Sequence, residues 1–376
     1  MRGRSSTTTN RPLQIPRMTR PATFFSIQAL RGIAALMVVL FHLRIVEGKY
    51  GQDGNLLGAM FAYADSGVDL FFVLSGFVMT SIAAGSYGLP RNAGDFLARR
   101  GWRVLPLYWF YTTLVVALML LMPGMANSAY QDQSILASYL LWPQAQLPLL
   151  TVGWTLIHEA FFYLLMAVAI AFARERQLPW LLLGWAAATL LAHGMLGAGI
   201  APWAAVASSP LSLEFIAGGL IGLYWRRLPV GFALPLLLGG AVLLVAAMLH
   251  LAAAYPEHPP VLRRALLFGV PAALLVLGAV RWEHARQPRL PALLLAVGDS
   301  SYSLYLGHVF VISATGRLWQ ASGLNHAPWQ HALFIALTVV VCVIAGWLSW
   351  RWLELPLHRW TRTRKPSART LQAAQE

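Results

Sequence analysis

The sequence predicts an all-α, polytopic membrane protein of about ten spans, with both termini on the inner side. Three observations carry that expectation. Only 11% of residues are charged and 58% are hydrophobic, against about 25% charged in a soluble domain, and mean hydropathy is +0.59. The apolar runs are about 20 residues long, the length a helix needs to cross hydrocarbon, where a barrel shows alternating strands of about ten. Lys and Arg gather in alternate connections.

The elements follow in order. Residues 1–26 are polar and Arg-rich, with Pro12, Pro16 and Pro21. They read as a disordered basic cytoplasmic tail. They are not a cleavable signal, because the next stretch holds Arg31 and lacks an Ala-x-Ala exit. One transmembrane domain is expected over 27–356, a basic cytoplasmic tail over 357–376, and no soluble domain at either end. The apolar runs place spans at 27–45, 62–82, 104–122, 150–172, 179–197, 203–225, 230–251, 264–281, 291–314 and 329–352. Even-numbered exits carry Arg91, Arg99, Arg100 and Arg103, then Arg174 and Arg176, Arg226 and Arg227, Arg281, Arg286 and Arg289, and finally Arg359, Arg362, Arg364 and Lys365. Odd-numbered exits (Gly51 to Leu57, Pro123 to Asp132, Gly194 to Ala201, Ala254 to Pro260, Gly323 to Pro328) carry few, with Arg263 and Arg264 as the exception. The asymmetry predicts N-in, C-in topology. A net charge of +14 is thereby accounted for by orientation and anionic headgroups, so membrane lipids are expected partners and nucleic acid is not. The single Cys342 excludes an internal disulfide and a Cys-based metal site. No strong internal repeat is visible, whereas many transporters have one.

Ionisable groups inside the spans are the functional candidates, since each costs roughly 3 kcal/mol or more at membrane depth unless paired or wetted. Arg31 and His42 are eleven residues apart in the first span, which on a helix puts them on one face roughly 16 Å apart. A neutral imidazole there is suited to take a proton from a hydroxyl. The plain alternatives are a snorkelling arginine and a core histidine bonded to a backbone carbonyl. Asp69 is an isolated carboxylate in the second span, placed to orient His42, to pair with an arginine, or to meet water at the outer boundary; Ser75 and Gly76 suit close helix packing. Arg99, Arg100 and Arg103 cluster at helical spacing before the third span, as a polyphosphate site or as ordinary positive-inside charge. Tyr108 and Trp109 fit interfacial aromatics. Glu159 and Tyr163 are four apart, suited to bind a sugar hydroxyl, share a proton or bridge helices; His158 faces elsewhere. Glu214 is an intramembrane carboxylate, candidate or helix glue. Tyr302, Tyr305 and His308 make a hydroxyl-rich face in the ninth span, as pocket lining or interhelical bonding. His42, His158 and His308 lack metal-ligand spacing, so no metal is expected.

Together these segments resemble the membrane acyltransferase-3 family, from about 27 to 356. The resemblance rests on Arg31 and, after ten intervening residues, His42; Gly67 to Phe77; Arg100-x-x-Arg103 followed by Pro106, Tyr108 and Trp109; Trp154, Leu156, Glu159, Phe162 and Tyr163; Ser301 to His308; and Glu354-x-Pro356. It implies an O-acyltransferase of the bacterial inner membrane with no bound cofactor, using acyl-CoA, often acetyl-CoA, as co-substrate from the cytoplasm and often a polysaccharide or other carbohydrate acceptor outside. By the resemblance His42 is the catalytic histidine and Arg100 and Arg103 contact CoA. From the residues themselves, the cluster of Arg99, Arg100 and Arg103 is expected to hold the CoA diphosphate, the pantetheine arm to run past Arg31, and Glu159 or Asp69 to orient the ring or the acceptor. Tyr163, Glu214, Tyr302, Tyr305 and His308 line the acceptor pocket, with Tyr302 and Tyr305 as candidate oxyanion donors. This chain departs from the family at Thr155-Leu156-Ile157-His158, where many members have Ser-Leu and an apolar pair, and its acceptor is expected to be recognised without the C-terminal hydrolase-like domain that some members carry. The other activities compatible with the residues are acylation of a cytoplasmic small molecule such as a macrolide, and transport or flipping of a lipid-linked sugar.

Overall fold

The computed structural model describes residues 24–121, 133–197, 199–254 and 259–363. Most of the two expected tails, the Pro123 to Asp132 connection and part of the Ala254 to Pro260 connection lie outside the described residues. Among the described residues there is no strand, and nine helical segments are long and apolar enough to cross a membrane. The protein is therefore an all-α, multi-pass membrane protein. Large Leu, Val, Ile and Trp side chains stay exposed on the outward faces, Leu121 and Phe172 at 80% among them, as a lipid-facing surface requires.

Helix α1 spans Phe25–Tyr50 and α2 spans Gly67–Ala83 after a 3-10 turn, Ala59–Ser66. Then come α3 (Pro90–Leu121), α4 (Ile135–Tyr139), α5 (Trp154–Phe172), α6 (Leu178–Met195), α7 (Pro202–Ala207) and α8 (Ser212–Tyr224). The chain continues through α9 (Ala233–Ala254), α10 (Val261–Arg286), α11 (Ala292–Asp299), α12 (Ser301–Ser322), α13 (Pro328–Ser349) and α14 (Leu355–Thr363). A π-helical turn, Trp350–Glu354, joins the last two.

Four expected boundaries change. The third span begins at Pro90 rather than 104, because Ala93 and Phe96 give the basic segment a buried face that continues the helix. Arg99, Arg100 and Arg103 therefore lie within α3 and not in a connection. The sixth span breaks between α7 and α8, around Pro210. The ninth divides at Ser300 into α11 and α12, although the backbone bonds from Ser300 N–H to Ala296 (3.1 Å) and from Leu304 N–H to Ser300 (2.9 Å) continue across the turn. Its second piece, α12, is long enough to cross but more polar than the nine. Helix also continues beyond 356 to Thr363.

The centre of the bundle is set by α2, which packs on α1, α8 and α10. A Cβ on Gly76 would run into the Phe215 carbonyl of α8, and one on Gly218 into the Val73 carbonyl of α2; small residues let the two backbones touch. At one end of the bundle, Glu283 of α10 accepts from the backbone N–H of Phe25 (2.8 Å) and Ser26 (2.7 Å), satisfying orphan donors at the start of α1. Phe24 packs on Trp225 there, and Arg281 donates to the Leu228 carbonyl (2.6 Å). At the other end, Gln52 N–H meets the Asn325 carbonyl (2.8 Å) and Glu47 pairs with His331 (2.8 Å).

Candidate active site

The α1 start, α2, the first half of α3, α5 and the start of α12 surround a cavity of about 200 Å³. Its polar lining includes Arg31, Arg100, Arg103, Glu159, Tyr163 and Tyr302. The Glu159 carboxylate accepts from Ser75 Oγ (2.7 Å) and from the Tyr163 hydroxyl. Arg31 Nε donates to Ser301 Oγ (3.2 Å). Arg100 Nε is buried and meets no acceptor among the described residues. Three guanidinium groups against one lining carboxylate give the cavity an excess of positive charge that suits an anion. Guanidinium forks match phosphate oxygens in particular.

The cavity ends on Phe71 and Tyr305, whose rings pack edge to face 5.8 Å apart. His308, one turn along α12 from Tyr305, lies behind them with its ring 6.1 Å from that of Tyr305. Its Nε2 is 3.1 Å from Nδ1 of His42. His42 is not part of the cavity lining; it sits beyond this aromatic wall and is only partly buried.

Several expected partners are rearranged. Asp69 does not orient His42. It is completely buried and paired with Arg264 of α10, whose NH2 is 2.6 Å and Nε 3.3 Å from the carboxylate. The same guanidinium binds Asp65 at 2.5 Å. This explains Arg264 as an exception to the charge asymmetry. Glu159 is likewise held by Ser75 and Tyr163 and not by the imidazole. Glu214 lies against Asp69 and not in the cavity. His308 contacts His42 and does not line the cavity, and exposed Arg99 does not line it either. The Tyr302 hydroxyl donates to the Val104 carbonyl (2.8 Å) and that of Tyr305 to Val152 (2.9 Å). Both protons are committed, so neither phenol is an available oxyanion donor. His158 packs beside Trp154 and Phe72. Among the described residues no group of three or more His, Cys, Asp or Glu side chains is placed to hold a metal ion.

Sequence reasoning missed Ser75 as the donor to Glu159 and Arg264 as the partner of Asp69. It also missed Ser303, which donates to Glu354 (2.7 Å) from the same helix as Tyr302. The unmatched Arg264 was the available signal: an arginine in an acid-poor outer connection needs a carboxylate.

Known proteins add to this geometry. A family model described as an acyltransferase domain matches residues 24–347. The chain is 32% identical over 328 residues to the exopolysaccharide production protein ExoZ of Rhizobium meliloti, covering 83% of this chain and 95% of that protein. It is 29% identical over 371 residues to the acyltransferase MdmB of Streptomyces mycarofaciens, covering 91% and 94%. To the peptidoglycan O-acetyltransferase OatA of Listeria monocytogenes it is 22% identical over 371 residues, covering 89% of this chain and 56% of that protein. No solved structure gives a significant match. With nearly the whole described bundle inside the match, the chain belongs to the acyltransferase-3 family of membrane proteins.

Proposed function

We propose that this protein is an O-acyltransferase of the bacterial inner membrane that transfers an acyl group, acetyl in the simplest case, from cytoplasmic acyl-CoA to a hydroxyl of an extracytoplasmic polysaccharide. The observation that carries the donor assignment is the cavity with three guanidinium groups and an unmet Arg100 Nε. The CoA diphosphate docks on Arg100 and Arg103, with Arg31 as the third fork in place of Arg99. The pantetheine arm directs the thioester to the Phe71–Tyr305 wall, and these two rings part to let it reach His42 on the other side. The acceptor approaches His42 from the opposite side. Likeness to ExoZ along nearly its full length supports a polysaccharide acceptor.

In this reading Nε2 of His42 takes the proton of the acceptor hydroxyl as its oxygen bonds to the thioester carbon. Collapse of the tetrahedral intermediate breaks the C–S bond. The imidazolium returns the proton to the departing thiolate, giving the ester and free CoA. Glu159, held by Ser75 and Tyr163, lines the same cavity as Arg100 and Arg103 and is their nearest balancing charge there.

The test uses membranes given acetyl-CoA labelled in the acetyl group and the surface polysaccharide of the host. Wild type transfers label to polysaccharide. His42→Ala is expected to lose about 10²-fold or more in kcat. Arg100→Ala is expected to raise the KM for acetyl-CoA about tenfold or more, as loss of a charge-assisted contact implies. Unchanged transfer in both variants would overturn the reading, and label recovered only in a small secreted molecule would overturn the acceptor class.

A further inference from the structure

The geometry points to His308 as a positioning residue that fixes which nitrogen of His42 is free to accept a proton. This rests on His42 being the base proposed above. Each ring sits one turn after a helical carbonyl. Nδ1 of His42 is 3.0 Å from the Val38 oxygen, and Nδ1 of His308 is 3.2 Å from the Leu304 oxygen. A carbonyl oxygen only accepts, so each Nδ1 carries the hydrogen. In a neutral ring with the hydrogen on Nδ1, Nε2 is an acceptor. Nε2 of His308 is 3.1 Å from Nδ1 of His42, so it receives a share of that hydrogen.

One arrangement satisfies all three contacts. His308 donates through Nδ1 to Leu304, accepts through Nε2 from His42 Nδ1–H, and His42 is left with an unprotonated Nε2. Reversing the tautomers would set the Nδ1 lone pairs of both rings against carbonyl oxygens. The two histidines therefore form a directional chain that starts at a main-chain carbonyl of α12 and ends at the lone pair of a base on α1.

The chain does what a buried carboxylate does for the histidine of a hydrolase triad, but with a neutral partner. A neutral partner orients the ring without stabilising an imidazolium by charge, so the proton taken by His42 is passed on promptly to the leaving thiolate. His308 is 1% exposed and its ring is braced on the far side by Tyr305, which itself is tied to Val152 and Thr155. The α5 end of the cavity wall thereby holds the histidine chain in register with the cavity. A pair of histidines that merely filled space would have no need of these three aligned contacts.

The experiment is nitrogen NMR of protein labelled with 15N-histidine, reconstituted in lipid bilayers, with the His42 signals identified by their loss in His42→Ala. In wild type the His42 ring is expected in the Nδ1–H form. His308→Phe keeps a ring but removes the acceptor; with the Val38 carbonyl alone left to hold the hydrogen, part of the His42 population is expected to shift to the Nε2–H form and kcat to fall about 10²-fold with the KM for acetyl-CoA unchanged. His308→Gln offers an amide oxygen near the position of Nε2 and is expected to restore the Nδ1–H form and part of kcat. A wild-type His42 with its hydrogen on Nε2 would overturn the inference. So would His308→Phe with an unchanged tautomer and full turnover. If His308→Phe does not fold, the wild-type spectrum and His308→Gln still decide. Failure of the base assignment looks different: His42→Ala would keep full turnover while the wild-type ring still reports the Nδ1–H form.

Discussion

At the scale of single residues, the site separates charges that are satisfied within the protein from those that are not. Asp65 and Asp69 share the guanidinium of Arg264 in a buried group that also holds Glu214 and leaves an Asp65 oxygen unmet, whereas Arg31, Arg100 and Arg103 line the cavity. The first group ties α2 to α10, and the second is the one open to a ligand. Removing one partner of a buried pair strands the other and costs about 3–5 kcal/mol, while replacing the pair with apolar side chains is often neutral. Arg264→Ala is accordingly expected to lower the thermal midpoint of the detergent-purified protein sharply, and the Arg264→Met, Asp69→Leu, Asp65→Asn triple variant, which strands neither carboxylate, to recover most of the loss. Equal loss in the single and triple variants would show that the two carboxylates do more than pair with Arg264. At this scale the sequence was readable in part. Asp69 next to an arginine was one of the alternatives its apolar setting allowed, and the cost of burying charge picked out Arg31, His42, Glu159 and Glu214. Which of these meet is a matter of long-range contact. The His42–His308 contact joins residues 266 positions apart, and nothing local in either segment specifies it.

At the scale of elements, length and apolarity made most spans visible, because crossing hydrocarbon demands a run of fixed length. Breaks and extensions were not visible. The turn at Ser300 keeps the backbone bonds on either side of it and so leaves little mark on the local pattern, and the extension of α3 to Pro90 depends on Phe96 and Ala93 finding a core to enter. The glycine contacts between α2 and α8 were anticipated in kind from Ser75-Gly76 but not in partner. They position Ser75 for Glu159, so their loss is expected to reach the cavity. Gly76→Ala puts a methyl group into the Phe215 carbonyl, and overpacking of this kind costs about 1–3 kcal/mol. The thermal midpoint is expected to fall and acetyl-CoA affinity to fall with it. Gly184→Ala, on α6 with nothing within 4 Å of the new methyl, is the control and is expected to be neutral or stabilising by roughly 0.5–1 kcal/mol. A Gly76→Ala protein as stable as the control would mean that the helices do not approach so closely in the membrane.

At the scale of the whole molecule, the two ends of the bundle have different chemistry, and orientation decides whether the arginine cavity meets the cytoplasm. One end gathers the start of α1 with the ends of α8 and α10 through Glu283, Trp225 and Arg281, and the Gly85–Glu175 contact joins the ends of α2 and α5. These are the Arg-rich connections, and Arg31, Arg100 and Arg103 lie toward them. The other end is closed by Gln52 with Asn325 and by Glu47 with His331. Positive charge at the first end predicts that it is cytoplasmic. The protein suits a direct measurement, because its single cysteine, Cys342, is 1% exposed and gives little background labelling. Cysteines introduced at exposed Ala84 and Ala285 report the first end, and those at exposed Gln52 and His326 report the second. In intact cells a membrane-impermeant maleimide is expected to label Gln52→Cys and His326→Cys, and to reach Ala84→Cys and Ala285→Cys only after the membrane is opened. The opposite pattern would turn the guanidinium cavity away from the CoA pool. The donor would then have to be something other than cytoplasmic acyl-CoA, even with every contact around His42 unchanged.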